Sequence, residues 1–369
     1  MNNQLDGKHG PNLVIGGGVI GLLIAWYLSE SGKRVVVIDR GQTGKESSWA
    51  GGGILTSVYP NQHPLLESLI SGSLPEYENL TIRLTERTGI DCELLFSQLI
   101  VLDAGDYGSP VKPSVIDAAT LAAMEPALAA PNRYAYCFPT AQIRNPRFLA
   151  ALRSSLLGRG VEILENNGAL KLETHARCLS GASTTQGHFS VDRAVVSAGA
   201  WTANLLAQTG LSLPISPVRG QMIVFRAQAG LISNIIVYKH HYLIPRKDGR
   251  ILVGSTVEPA GFVKETTNVA RSELYAAAVE LVPELKACPI EHHWAGLRPG
   301  SPDEAPFIGE HPGIKGLFVC AGHYRNGFAT GPASARLVVD MMLGRPPSVD
   351  PTPFRLDRPC PEWNISSPN

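Results

Sequence analysis

The chain has 369 residues, 44% apolar and 17% charged, which suits an ordinary soluble protein with a large core and room for two domains. Its 32 basic and 32 acidic side chains cancel and form no Lys/Arg stripe, arguing against nucleic acid or an anionic membrane as partner and in favour of small molecules. Six scattered cysteines without CxxC or Cys/His spacing, and the adjacent pairs His240-His241 and His292-His293 whose side chains diverge on a strand, predict reduced structural thiols and no metal site.

The leader Met1 to Gly10 has a weak charge balance and no small-residue cleavage site after it. Residues 13–28 carry no charge but fall short of the roughly 20 apolar residues of a spanning helix, and four glycines interrupt them. A cytoplasmic protein is expected.

In chain order, an apolar strand (Leu13, Val14, Ile15) enters Gly16-Gly17-Gly18-Val19-Ile20-Gly21, a helix runs through Tyr27 and Leu28, and a second strand, Arg34 to Ile38, ends on Asp39. In such a unit the first glycine permits the tight turn, the second lets backbone approach a pyrophosphate, and the third lets helix and strand pack closely. The helix N-terminus offers unpaired N–H groups to phosphates. Asp39, 18 residues beyond Gly21 at a strand's carboxyl end, is placed to accept hydrogen bonds from ribose hydroxyls. Strand, helix and acid in register predict a dinucleotide-binding βαβ start.

Further on, a helix is expected over 146–158, a strand over 161–164, and a buried strand over 193–197 that ends in Ala198-Gly199-Ala200-Trp201 before a helix over 202–209. Strand-like runs cover 221–225, 241–245 and 251–255, with a hairpin turn at Lys247-Asp248-Gly249-Arg250. A helix over 270–281 follows, and the chain returns to its first domain at Trp294. The tail holds Trp294 to Gly309, then a strand leading through Gly322-His323-Tyr324-Arg325-Asn326-Gly327 into a helix over 329–343. That helix's N-terminus is placed to stabilise negative charge. Arg298 and Arg325 lie in glycine-flanked loops, unlike arginines on a solvated helix face.

From Leu13 to about Pro351 the chain resembles the flavin-dependent amine oxidases of the D-amino-acid oxidase superfamily, and within it the glycine oxidase family of thiamine biosynthesis. The most specific matches are Glu46 to Leu55, Pro217 to Met222, Trp294 to Gly309, and Gly322 to Gly327. The resemblance implies a mixed α/β (α+β) fold: a Rossmann-like FAD-binding domain (12–85, 143–217 and 294–364) interleaved with a smaller substrate domain on an antiparallel or mixed sheet (86–142 and 218–293). It implies oxidative deamination of glycine, sarcosine or small D-amino acids, with hydride passing from the α carbon to FAD N5 and O2 reduced to H2O2. By position, Arg298 would clamp the substrate carboxylate, with Tyr242 and Arg325 beside it. Gly16, Gly18, Val19, Ile20 and Gly21 would face the pyrophosphate, and Asp39 and Arg40 the ribose end. Ser47, Ser48, Ala50, Gly51 and Gly53 would lie along the flavin, Ala198, Gly199 and Trp201 would flank the cofactor, and Arg298, Arg325, Asn326, Gly327 and Phe328 would approach the ring. With no cysteine between Cys288 and Cys320, FAD is expected to be noncovalent. The family also implies a homotetramer. No general base stands out, and His240 and His323 are the candidates for proton carriers. Two rivals stay open: a D-amino-acid dehydrogenase passing electrons to a quinone or carrier protein, and a non-catalytic flavin-binding subunit.

Overall fold

A computed structural model of the chain describes residues 10–56, 63–102, 113–129 and 134–362. Residues 1–9 of the leader, and residues 363–364 at the end of the expected cofactor domain, lie outside them.

Strands of unbroken Val, Ile and Leu have apolar side chains pointing both ways, so they are stable only when covered on both faces. Asn12–Ile15, Val35–Ile38 and Ala194–Val196 are buried along their whole lengths. They form the middle of a six-stranded sheet ordered Phe307–Glu310, Leu317–Ala321, Ala194–Val196, Asn12–Ile15, Val35–Ile38, Glu162–Leu164. All pairings are parallel except that of the edge strand Phe307–Glu310.

Val14, Val37, Val195 and Phe318 face a core shared with the helices Val19–Glu30, Glu67–Thr88, Asn145–Leu157 and Gly331–Leu343. The alternate residues Leu13, Ile15, Val36 and Val319 face a second core, which the three-stranded sheet of Ala169–His175, Cys178–Thr184 and Gly187–Ser190 helps to close. No sequence signal marks this small sheet, because its first turn is made by Ala176 (φ 48°) and Arg177 (φ 63°), where Asn-Gly is the usual pair. The helix Glu67–Thr88 is likewise unmarked. Its apolar stripe (Leu69, Ile70, Tyr77, Leu80, Leu84) is interrupted by Pro75, a residue that ordinarily ends a helix.

The second large sheet has nine strands, and the chain enters it at three separate places. Its order is Ile290–Gly300, Ser216–Arg226, Arg250–Gly254, His241–Pro245, Ile235–Tyr238, Leu95–Leu102, Ala135–Gln142, Ile54–Leu55, with Ser114–Ile116 paired to Ala135–Gln142. Only Leu95–Leu102 and Ile235–Tyr238 run parallel, so the sheet is mixed. The ladder between Ser216–Arg226 and Ile290–Gly300 runs from Ser216↔Gly300 to Phe225↔Ile290. The divisions expected at 217/218 and 293/294 thus fall inside these two paired strands. The turn at 246–250 forms as expected, with Gly249 at φ 84° and Arg246 N–H donating to the Arg250 carbonyl at 2.8 Å. No helix among the described residues is long and apolar enough to cross a membrane.

The glycine turn sets the contact between first strand and first helix. A Cβ on Gly21 would lie 1.8 Å from the Gly16 carbonyl oxygen and 2.8 Å from Ser197 Oγ. Backbone cannot yield as a flexible side chain does, so Gly21→Ala is expected to cost about 3 kcal/mol or more, the upper range of overpacking penalties. Urea denaturation of the apoprotein checks this, and a loss under about 1 kcal/mol would contradict it.

Candidate active site

The first strand ends at Gly16, whose φ is 108°. A Cβ there would stand 2.4 Å from the Ser197 carbonyl oxygen, so the position has space for hydrogen alone. Gly17 N–H donates to Asp39 Oδ2 at 2.7 Å and Gly41 N–H to Asp39 Oδ1 at 2.8 Å, so the acid at the second strand's end also fixes the turn. Burial pushes the Asp39 carboxyl up and these two N–H groups pull it back. Val19 N–H donates to Ser48 Oγ at 2.9 Å, a side-chain cap from outside on a helix whose own N-cap is Gly18. Arg40 lies 4.1 Å over the Trp201 ring, joining the two strand ends.

Downstream, Ser47–Ala50 forms one helical turn and Gly51 to Gly53 lead into the strand Ile54–Leu55. The carbonyls here are tied from one side. Asn145 Nδ2 donates to Ser48 O (3.0 Å) and Gly51 O (2.8 Å), Arg246 Nη2 donates to Gly52 O (2.7 Å), and Ile143 N–H donates to Gly53 O (2.9 Å). Trp294 Nε1 donates to Ala50 O at 3.0 Å. The Trp49, Ala50 and Gly51 N–H groups turn back to the Glu46 and Ser47 carbonyls, which leaves those of Gly52 and Gly53 without a protein partner among the described residues.

Arg298 lies on the strand Ile290–Gly300, paired with Val218, and not in the loop its flanking glycines suggested. Its Nη1 donates to the Thr256 carbonyl at 3.1 Å and its Nη2 to Ser255 Oγ at 2.7 Å. The guanidinium rests directly on Gly220 of the neighbouring strand, where a Cβ would come within 2.1 Å of Nη1. Arg325 is exposed, stacks 4.8 Å over the Tyr324 ring and donates to the Tyr324 hydroxyl at 3.1 Å. Tyr242 is half-buried, and among the described residues its hydroxyl has one weak hydrogen bond, donated to Met222 Sδ at 3.7 Å. Tyr242 is therefore not simply a core residue. The tail helix starts at Gly331, two residues later than expected, with Ala333 N–H taken by Ser73 Oγ at 3.0 Å.

One cavity of about 1140 Å³ is lined by every predicted site residue except Gly21: the turn (Gly16, Gly18, Val19, Ile20), Asp39 and Arg40, the 47–53 stretch, Ala198, Gly199 and Trp201, Tyr242, Arg298, and Arg325 to Phe328. Gly21 is a packing position behind the turn. Residues 13–341 match the family model described as FAD dependent oxidoreductase. The chain belongs to this DAO family. It is 40% identical over 353 residues to the glycine oxidase of Pseudomonas putida, covering 93% of this chain and 97% of that one. It is 32% identical over 348 residues to the bifunctional protein ThiO/ThiG of Synechocystis, covering 90% of this chain and 51% of that one. Among solved structures, glycine oxidase from Geobacillus kaustophilus superposes with a TM-score of 0.89 at 31% identity, covering 96% of this chain and all of the other.

The residues present fit FAD, the cofactor of this family. The cavity exceeds the usual 300–1,000 Å³ of a small-ligand pocket. Gly16 and Gly18 leave backbone bare at a helix N-terminus, as a pyrophosphate requires. Asn326 Nδ2 and His323 Nε2 are buried atoms without a partner among the described residues, on residues that line the cavity. Sequence reading missed Asn145, Arg246, Gly52, Gly220 and Glu304. Asn145 and Arg246 act on backbone far away in sequence, and Gly220 is needed only because a guanidinium lies on it.

His323 is not a proton carrier at neutral pH, because burial pushes it down to about 3. The unfolded chain protonates near the ordinary 6.5 while the folded one stays neutral, so stability is lost as pH falls from about 6.5 towards 3. His323→Asn should flatten this acid limb by up to about 1.4 kcal/mol per pH unit, measured by urea denaturation across the window. A limb as steep as the wild type's would refute the assignment. Separately, Arg246→Met frees the Gly52 carbonyl and should weaken FAD binding about tenfold or more, since a charge-assisted hydrogen bond contributes about 1.5–3 kcal/mol. Titration of the apoprotein with FAD checks it.

Proposed function

We propose that the protein is an FAD-dependent oxidase of glycine and other small amino acids, sarcosine and small D-amino acids among them, serving the thiazole branch of thiamine biosynthesis. One observation carries the reading: Arg298, braced on Gly220 by Ser255 and Thr256, faces the same cavity as the dinucleotide turn. The named activities of the Pseudomonas and Geobacillus relatives support the substrate class, and the ThiO/ThiG match supports the pathway.

In this reading the six-stranded sheet carries the cofactor and the nine-stranded sheet supplies Tyr242 and Arg298 to the substrate. The 47–53 stretch, Ala198, Gly199 and residues 325–328 hold the cofactor. When bound, FAD would supply a hydride acceptor at N5, with O2 as the final electron acceptor and H2O2 as its product. Arg298 holds the carboxylate of the amino acid through its planar fork, with the Tyr242 hydroxyl and Arg325 beside it. The substrate must present a neutral amine. For an amine with a pKa of roughly 10, neutrality near pH 7 costs about 4 kcal/mol. The positive field of the two arginines and exclusion of water both disfavour the ammonium form and offset that cost. Orientation and electrostatics, with no dedicated general base, then account for most of the catalysis.

FAD is held noncovalently. Cys320 is the one cysteine among the described residues that lines the cavity, and burial raises its thiol far above the usual range, keeping it protonated and a poor nucleophile. The family resemblance further supports a cytoplasmic homotetramer, which analytical ultracentrifugation tests.

The protein should be purified yellow, bleach under anaerobic glycine, and release peroxide when air is admitted. Bleaching without peroxide would point to a dehydrogenase, and no bleaching with glycine, sarcosine or D-alanine would reject the reading. Arg298→Ala should keep its flavin and lose about 2–5 kcal/mol in kcat/KM, the cost of removing one partner of a desolvated ion pair. Full turnover at low glycine would overturn the clamp.

A further inference from the structure

The turn Ser301 to Ala305 follows the strand that carries Arg298, and it is braced at several points. Ser301 Oγ donates to the Gly322 carbonyl at 2.8 Å, and Glu304 N–H donates to the Ser301 carbonyl at 3.1 Å. Asp303 receives both Nε and Nη2 of Arg358, at 2.8 and 2.9 Å, with both side chains buried. Arg358 also donates to the carbonyls of Ala305 and Pro306 and stacks 3.7 Å over the Phe307 ring.

This brace holds Glu304 at φ 56°, in the left-handed region that disfavours side chains other than glycine. Its half-buried side chain lines the cavity. Burial pushes the Glu304 carboxyl up and Asp303 adds to this, while the positive fields of Arg325, His63 and Arg298 pull it back down; among the described residues it is within ion-pair or hydrogen-bond distance of none of them. A left-handed backbone on a rigid support, carrying an acid that faces the cavity with no protein partner among the described residues, is a cost with no evident return in folding. Such costs are retained where a ligand uses the group.

We infer that Glu304 is a specificity-determining carboxylate: it sets the charge of the substrates accepted, admitting amino acids with one carboxylate and repelling those with a second. The inference rests on the amino-acid oxidase reading and extends it. Arg298, whose partners among the described residues are a carbonyl and a hydroxyl, offers its charge to one carboxylate, and Glu304 places a negative charge in the same cavity. A second carboxylate in the same confined space meets like charge at an effective dielectric well below that of water, a penalty of about tenfold or more in affinity.

The test uses the FAD-loaded wild type, Glu304→Gln and Glu304→Asp at mildly alkaline pH. The ratio of kcat/KM for iminodiacetate to that for glycine is measured by peroxide release. The ratio of affinities for malonate and acetate is measured from the change each ligand produces in the absorbance of the bound flavin. Glu304→Gln should raise both ratios about tenfold, while Glu304→Asp, which keeps the charge, should stay close to wild type. If Glu304→Gln fails to fold, Glu304→Gly, which suits the left-handed backbone, replaces it with the same expectation. Ratios unchanged in the neutral variant, or equally raised in Glu304→Asp, overturn the inference. Should the wild type not oxidise glycine, the amino-acid oxidase reading fails, and the malonate-to-acetate ratio still decides the role of Glu304.

Discussion

The cavity depends on one close contact, that of Gly21 against the Gly16 carbonyl. Because no side chain stands between them, the helix Val19–Glu30 starts directly at the end of the central parallel strand. Ser197 of the adjoining strand completes the contact, with its Oγ donating to the Ile15 and Gly16 carbonyls at 3.2 Å each. The position of the helix N-terminus is thereby set by this backbone contact and the Ser197 hydroxyl, and Asp39 and Ser48 are then within reach of its N–H groups. Any side chain at Gly21 would push the helix end away from the strand and separate it from these partners.

The second half of the site is positioned by polar groups that act at a distance in sequence. Asn145, Arg246 and Trp294 come from a helix, a hairpin and a long strand, and each ends on a carbonyl of the short stretch 48–52. Arg246 is almost wholly buried, and burial pushes it down to about 10, still charged at neutral pH. Its hydrogen bonds go to Gly52 O, Ile143 O and Gln142 Oε1, all neutral acceptors. A buried guanidinium satisfied in this way costs more to desolvate than a neutral donor. What it adds is rigidity in a glycine-rich segment that would otherwise have many conformations.

The sequence displayed the parts of this design that are local. The strand–glycine–helix–acid spacing is a sequential pattern, and its consequences, the turn, the helix and the role of Asp39, all appear where the pattern lies. Strong apolar runs such as Val35–Ile38 and Ala194–Val196 were likewise legible, because full burial removes any need for alternation. The meander at 169–190 was hidden by its polar, half-exposed strands and by non-glycine residues in its turn, and Glu67–Thr88 by Pro75. Among site residues, Arg298, Tyr242 and Arg325 were named from resemblance, whereas Asn145, Arg246 and Gly220 depend on partners remote in the chain. Arg246 and the Gly52 carbonyl stand 194 residues apart, and no periodicity over a window of a dozen residues can register such a pairing.

The electrostatics of the arginines separates structure from function within one chain. Arg358 and Arg144 meet carboxylates directly, Asp303 in one case and Glu93 with Asp248 in the other, so their charges are cancelled inside the fold. Arg298 meets only a carbonyl and a hydroxyl among the described residues. These neutral oxygens orient the guanidinium without discharging it. A fixed, half-buried positive charge in a cavity draws its compensation from whatever enters, and the planar fork favours a carboxylate over a spherical anion. In the proposed reading Glu304 then limits how much negative charge that ligand brings: orientation would come from the strand ladder, attraction from an uncancelled guanidinium, and selectivity from an acid held on a braced turn, so that three different elements would act on the same few atoms of substrate.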